Sequence, residues 1–163
     1  MRRVNIIGCP GAGKSTFARK LSEKTGLELF YLDMIWHKPD KTTVARDEFD
    51  LRLNEIFERD TWIIDGNYLR TMERRLSECD TVFFFDLPTE VCLEGAASRV
   101  GKKREDMPWV ETEVDEDFLR RILDFEKDQK PKIHEYLEKI KSGKEIIIFK
   151  SRGEADDFID SLA

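Results

Sequence analysis

Short apolar runs alternate along the chain with longer stretches whose apolar residues recur at helical spacing. Val4–Ile7 reads as a buried strand stopped by Gly8, and Phe17, Ala18 and Leu21 then mark one face of a helix that ends at Gly26. Leu29–Leu32 predicts a second strand closing on Asp33, and Phe49, Leu53, Ile56 and Phe57 trace a helix over about Val44–Arg59. Trp62–Ile64 predicts a third strand, ended by Asp65-Gly66-Asn67, with a short helix around Met72–Leu76 after it. Thr81–Phe85 reads as a fourth strand, Thr89–Arg99 as a helix and Phe118–Ile140 as a long helical stretch that Pro131 should kink or split. Glu145–Phe149 predicts a fifth strand and Ala155–Leu162 a terminal helix. Strands that are apolar throughout, each followed by a helix, imply a parallel sheet covered on both faces. The expected fold is α/β, three-layered, with five parallel strands.

Composition narrows the class without changing that picture. The 163 residues are 40% hydrophobic, enough for one core, and no repeat or Gly/Ser linker divides them, so residues 1–163 read as a single domain. No run approaches the roughly 18 apolar residues that would span a bilayer, and the N-terminus lacks the apolar region of a signal peptide. Cys9, Cys79 and Cys92 have no metal-ligand spacing and suit a reducing, cytoplasmic setting. The 28 Lys and Arg against 34 Asp and Glu leave a net charge of −6, which argues against a broad DNA-binding face.

The candidate chemistry begins at Gly8-Cys9-Pro10-Gly11-Ala12-Gly13-Lys14-Ser15, which satisfies G-x-x-x-x-G-K-[ST] between an expected strand and an expected helix. Glycines let the backbone wrap a phosphate with its N–H groups inward, and the helix N-terminus adds partial positive charge. The motif implies a nucleoside triphosphate with Mg²⁺. Lys14 would reach the β and γ phosphates, Ser15 would ligate the metal and Thr16 would lie near the α-phosphate. Cys9, inside the loop, is a point where oxidation would block binding.

The stretch Gly8–Thr16 resembles the G-x-P-G-x-G-K-x-T form of adenylate kinases. Ile63-Ile64-Asp65-Gly66-Asn67-Tyr68-Leu69-Arg70-Thr71 is similar to the apolar strand that ends there in Asp-Gly-Phe-Pro-Arg-Thr, and Cys79–Pro88 to the following strand with its Asp-x-Pro ending. Arg120-Arg121-Ile122 resembles the Arg-bearing helix after the lid, and Ile148–Gly153 the base-holding loop. A narrower resemblance, to adenylate-kinase-related topology modulation proteins of the FlaR type, rests on Trp62–Tyr68, Leu32-Asp33-x-x-Trp36 and Asp106-Met107-Pro108.

The resemblance implies a kinase-like phosphate-loop domain acting with ATP and Mg²⁺, with an acceptor-side insert at about 33–60 and a short lid at about 99–114. It implies phosphoryl transfer to a nucleotide or other small-molecule acceptor; the topology-modulation likeness implies instead an ATP-dependent regulatory switch. Within it Asp65 is the acidic residue that holds Mg²⁺, unless it only ends a strand. Asp33 would bind or deprotonate the acceptor hydroxyl, or cap a turn, with Trp36 and His37 beside it. Asn67, Tyr68 and Arg70 replace the Phe-Pro-Arg of adenylate kinases and would contact the acceptor. Arg99 and Arg121 would stabilise the transferring phosphoryl group, with Arg120 the surface partner of the pair unless the helix turns it inward instead. Arg152 borders the place of the nucleotide base, and Asp86 ends its strand either facing the ligand or capping the next helix.

Overall fold

The structure, a computed structural model, describes Met1–Ala163. Five parallel strands, β1 (Arg3–Gly8), β2 (Leu29–Tyr31), β3 (Trp62–Asp65), β4 (Thr81–Phe85) and β5 (Glu145–Phe149), lie in the order β2-β3-β1-β4-β5. The expected α/β architecture and parallel sheet are present. β1, β3 and β4 bury almost every residue, as strands covered on both faces must.

Eight helices connect and cover the sheet: α1 (Lys14–Thr25), α2 (Leu32–Trp36), α3 (Arg46–Phe57), α4 (Leu69–Glu78), α5 (Thr89–Ser98), α6 (Glu116–Asp128), α7 (Lys130–Ile140) and α8 (Arg152–Ser161). Helices α1 and α8 pack together over one face. There Phe17 meets the rings of Phe83, Phe85 and Phe149 edge-on, with centroids 4.9–5.3 Å apart, and Phe158 of α8 closes the cluster. The alternate residue of β4, Phe84, meets His134 of α7 instead, beneath the layer that also holds α4, α5 and α6. Period-two alternation thus splits one run of three phenylalanines between two aromatic interfaces.

Some boundaries differ from expectation, and at Pro131 one of the two expected outcomes is found. Leu32 and Asp33 belong to α2, because β2 pairs with β3 only over Leu29–Tyr31, and an apolar run does not say where a strand gives way to a helix. Asp33 is therefore a first-turn helix residue and not a strand end. Helix α4 is twice the expected length, since Arg70, Glu73 and Arg74 supply its solvent side. Pro131 splits the long helical stretch rather than kinking it: α6 stops at Asp128 and α7 restarts with proline in its first turn, where its missing N–H costs nothing. No helix is long and apolar enough to cross a membrane.

β1 is central, flanked by β3 and β4, so the connections leaving β1 and β3 run to different sides of the sheet. Crevices at such a reversal, beyond the carboxyl ends of the strands, are the ligand positions of open α/β sheets. The phosphate loop follows β1 and the Asp65–Tyr68 turn follows β3.

Candidate active site

The loop after β1 packs backbone to backbone on α5. Gly11 has φ +82, and a Cβ on it would lie 2.1 Å from the Cys92 carbonyl oxygen; a Cβ on Gly95 would lie 2.0 Å from the Gly11 carbonyl oxygen. Both glycines are required by contact alone. Gly8 and Gly13 also take left-handed φ values, Ala12 is buried, and Pro10 lines the larger of two cavities. Arg152, at the start of α8, donates from Nη2 to the carbonyls of Gly11 (2.9 Å) and Val91 (3.2 Å), tying loop, α5 and α8 together.

Lys14 opens α1 and donates from Nζ to the Cys9 carbonyl at 2.9 Å. Burial pushes its pKa below the usual lysine value, partly opposed by Asp65. The next residue, Ser15, donates to Asp65 Oδ2 at 2.6 Å. Burial pushes the Asp65 carboxyl up to about 6 despite Lys14 and Ser15, and its Oδ1 is closed off with no partner. Thr16 is exposed on the rim of the smaller cavity.

The turn after β3 is held from inside by a residue the sequence reading did not single out. Arg75 of α4 is wholly buried without a carboxylate partner. Its Nη1 donates to the Gly66 carbonyl (2.9 Å) and Asn5 Oδ1 (3.3 Å), and its Nη2 to the carbonyls of Asn67 (2.6 Å) and Tyr68 (3.1 Å). Asn5, in the middle of β1, completes the bracket by donating to the Arg75 carbonyl at 2.8 Å. Burial lowers the Arg75 pKa to about 10, which leaves it charged at neutral pH. A sequence signal existed: an arginine three residues after Met72 and one before Leu76 falls on the apolar side of the helix.

That bracket fixes Tyr68 in a left-handed conformation, φ 24. Its hydroxyl donates to Asp33 Oδ1, and burial together with Asp33 raises its pKa. His37 Nε2 stands 4.0 Å from the same carboxylate oxygen, with its ring against Trp109. Asn67 accepts from the Gly8 N–H at 3.3 Å and donates to Gln129 between α6 and α7. Trp36, between Phe49 and Tyr68, serves the packing of this wall.

Two cavities adjoin the loop. The larger, about 1060 Å³, is lined by Asp33, His37, Asn67, Tyr68, Trp109 and Arg121 among others. The smaller, about 540 Å³, holds Thr16, Arg19, Gly95, Lys103 and Arg152. Lys14, Ser15, Arg99, Arg104 and Asp106 line both. Arg99 and Arg121 both lie over the Phe118 ring, 5.5 and 5.6 Å from its centroid, and the buried Arg99 Nε has no partner. Arg120 is absent from the large cavity and lines an acidic groove with Asp117, Asp124 and Asp128, a groove that Arg121 also borders.

Two expectations are corrected. Arg70 does not reach the cavity: one α4 position on from the turn it faces outward and forms a two-pronged pair with Asp50, at 2.8 and 3.1 Å. Asp86 neither faces the cavities nor caps α5, whose cap receives no side-chain bond. It pairs with Lys130 at 2.8 Å and with Lys150. Burial alone would raise its pKa, but those two hydrogen bonds outweigh it and hold the carboxyl below the ordinary value.

No protein-family model matches the chain. It is 34% identical over 88 residues to an adenylate kinase of Thermotoga neapolitana and 35% identical over 88 residues to one of Thermotoga maritima. Each match covers 53% of this chain and 39% of the relative, so the chain aligns with well under half the length of the curated proteins it matches. Among solved structures, the shikimate kinase of Acinetobacter baumannii in complex with shikimate superposes with TM-score 0.64 at 20% identity, covering 99% of this chain and 90% of that one. A gluconokinase of Sinorhizobium meliloti gives 0.60 at 12% identity, covering 98% and 87%. The chain thus has the fold of the phosphate-loop kinases, and half of its sequence is similar to adenylate kinases.

Proposed function

We propose that the chain is a Mg-ATP-dependent phosphotransferase, acting in the cytoplasm, that passes the γ-phosphoryl group to a small-molecule or nucleotide acceptor. One observation carries the reading. Two cavities share Lys14, Ser15 and Arg99, while Asp33 belongs only to the larger and Arg152 and Thr16 only to the smaller. That is the layout of a donor site and an acceptor site meeting at the transferred group.

The loop N–H groups and the start of α1 hold the donor phosphates, and Arg152 braces the loop's outer side. Ser15 Oγ and the unpartnered Asp65 Oδ1 would hold Mg²⁺, which would offset the phosphate charge there. Lys14 and Arg99, whose Nε is a buried donor in want of an acceptor, face the equatorial oxygens. Asp33, oriented by Tyr68, takes the acceptor's hydroxyl proton as the new P–O bond forms and ADP departs. The connection at 99–114 serves as a lid that keeps water out, with Arg121 beyond it on the acceptor side.

With Arg70 turned outward, the acceptor cavity lacks the arginine that the adenylate-kinase pattern would set on an acceptor phosphate. This favours a hydroxyl-bearing small molecule over a nucleoside monophosphate, in keeping with the names of the shikimate kinase and gluconokinase that share the fold. The test is ATP-to-ADP conversion with Mg²⁺ over nucleoside monophosphates, nucleosides and hydroxylated metabolites, the product being identified by mass. One acceptor far above background is expected. Intact ATP binding with a flat panel would overturn the reading in favour of an ATP-dependent regulatory switch.

A further inference from the structure

The connection between α5 and α6 contains no helix or strand, yet one of its carboxylates is buried at the phosphate loop. Asp106 is 6% exposed, while its neighbours Lys102, Lys103 and Glu105 are exposed. Asp106 Oδ2 lies 3.2 Å from Ser15 Oγ, the same hydroxyl that Asp65 Oδ2 approaches at 2.6 Å. A serine hydroxyl has one proton to give. With that proton on the nearer Asp65, nothing stands between the Ser15 lone pairs and Asp106 Oδ2. Asp65 Oδ1, sealed from solvent, has no partner either.

The surrounding cations offset part of that charge but occupy none of the oxygens that converge: Lys14 lowers the Asp65 pKa from a distance, and Arg104 pairs with the outer oxygen of Asp106. Lys14 Nζ is directed to the Cys9 carbonyl, and Arg104 Nε stands 3.6 Å from Asp106 Oδ1, the oxygen that does not face Ser15. Arg104 in turn reaches Glu111 at 3.3 Å, which fixes the segment's path and presents Asp106 to the loop. A hydroxyl and two carboxylates from three separate segments therefore converge with one proton among them. An all-oxygen set of that kind suits a hard divalent cation.

We infer that Asp106 is a lid-borne carboxylate of the divalent-cation site, so that one ion joins Ser15 and Asp65 of the core to the segment that covers them. The inference rests on the phosphotransferase reading for the role of Ser15 and Asp65, and adds a third residue that neither the loop motif nor the strand ending points to. Its consequence is that lid closure depends on the metal. A bound cation would tie the Asp106 segment to Ser15 and Asp65 over the nucleotide; without one, only the 3.2 Å contact with Ser15 Oγ joins Asp106 to them.

The test follows free Mn²⁺ by its paramagnetic resonance signal while the full chain is titrated with and without ADP, and measures ADP affinity in EDTA by calorimetry. Asp106→Asn is expected to weaken Mn²⁺ binding in the presence of ADP by about tenfold or more, with Asp106→Glu recovering part of the loss, and to leave metal-free ADP binding unchanged. In the wild type, Mn²⁺ with ADP should slow tryptic cleavage at Lys102 and Lys103; in Asp106→Asn it should not. Wild-type Mn²⁺ affinity in Asp106→Asn would overturn the inference. So would tighter ADP binding in that variant both with and without metal, which would make Asp106 a plug competing with phosphate. A wild-type chain that bound Mn²⁺ through Asp106 but no nucleotide would defeat the phosphotransferase reading alone.

Discussion

The two turns that frame the candidate site leave neighbouring parallel strands and touch where the Gly8 N–H donates to Asn67, yet they are built by opposite means. The loop after β1 is shaped by what is missing: Gly11 and Gly95 carry no side chain, so loop and α5 touch through their backbones. The turn after β3 is shaped by one long side chain, Arg75, which reaches three successive carbonyls from beneath. The first kind of turn resists any added atom. The second resists the loss of a particular residue.

The harshest break should come on the loop side. Gly95→Val places side-chain atoms where a Cβ already stands 2.0 Å from the Gly11 carbonyl, so α5 must move off the loop. Overpacking of this kind costs about 3 kcal/mol, and calorimetry should find no measurable ATP binding. Asp33→Asn acts on the acceptor side and leaves the loop alone. Transfer should fall by about a hundredfold, the scale of a lost general base, while ATP affinity holds. Unchanged transfer would return Asp33 to a turn role.

Arg75→Met removes the bracket and takes the donor from the carbonyls of Gly66 and Asn67, while the Tyr68 carbonyl keeps the Thr71 N–H. Denaturant unfolding should show a loss of about 2–3 kcal/mol, the cost of leaving buried acceptors unpaired. Acceptor KM should rise while ATP affinity holds. Equal damage to both would mean that the turns are one cooperative unit.

Asp86 supplies a gentler test, away from both turns. Its carboxyl titrates below the ordinary value of 3.8 in the folded chain, so the pair with Lys130 and Lys150 stabilises the fold above that pH. This contribution is lost as pH falls through the ordinary value toward the lower folded one. Asp86→Asn should therefore flatten the acid limb of the stability curve. The smallest effect belongs to Arg70→Ala. An exposed pair contributes about 0–1 kcal/mol, and transfer should stay near wild type. Loss of transfer would show that Arg70 swings inward when the acceptor binds.

The contrast between the turns also explains what the sequence disclosed. The loop's requirements fall on consecutive residues, Gly8 to Ser15, and so read directly as a motif. The central strands β1, β3 and β4 read equally well, because burial on both faces leaves uninterrupted apolar runs, whereas the end of the half-buried β2 did not. The turn after β3 depends on Arg75 and on Asn5, seventy positions from it, a pairing that exists only once α4 lies over β1. Asp106 was in view as part of a phrase of sequence, but nothing local separates it from the exposed Glu105 beside it. Arg70 was misplaced for a related reason: alignment with an Asp-Gly-Phe-Pro-Arg pattern fixes its order in the chain but not the helical rotation that points it at Asp50.

Every acceptor that Arg75 engages in the turn is a peptide carbonyl, and carbonyls are common to all twenty residue types. The path of the turn is thus separated from the identity of what hangs on it. Side chains around the turn can therefore change without moving its backbone, with Tyr68, whose hydroxyl holds Asp33, the exception.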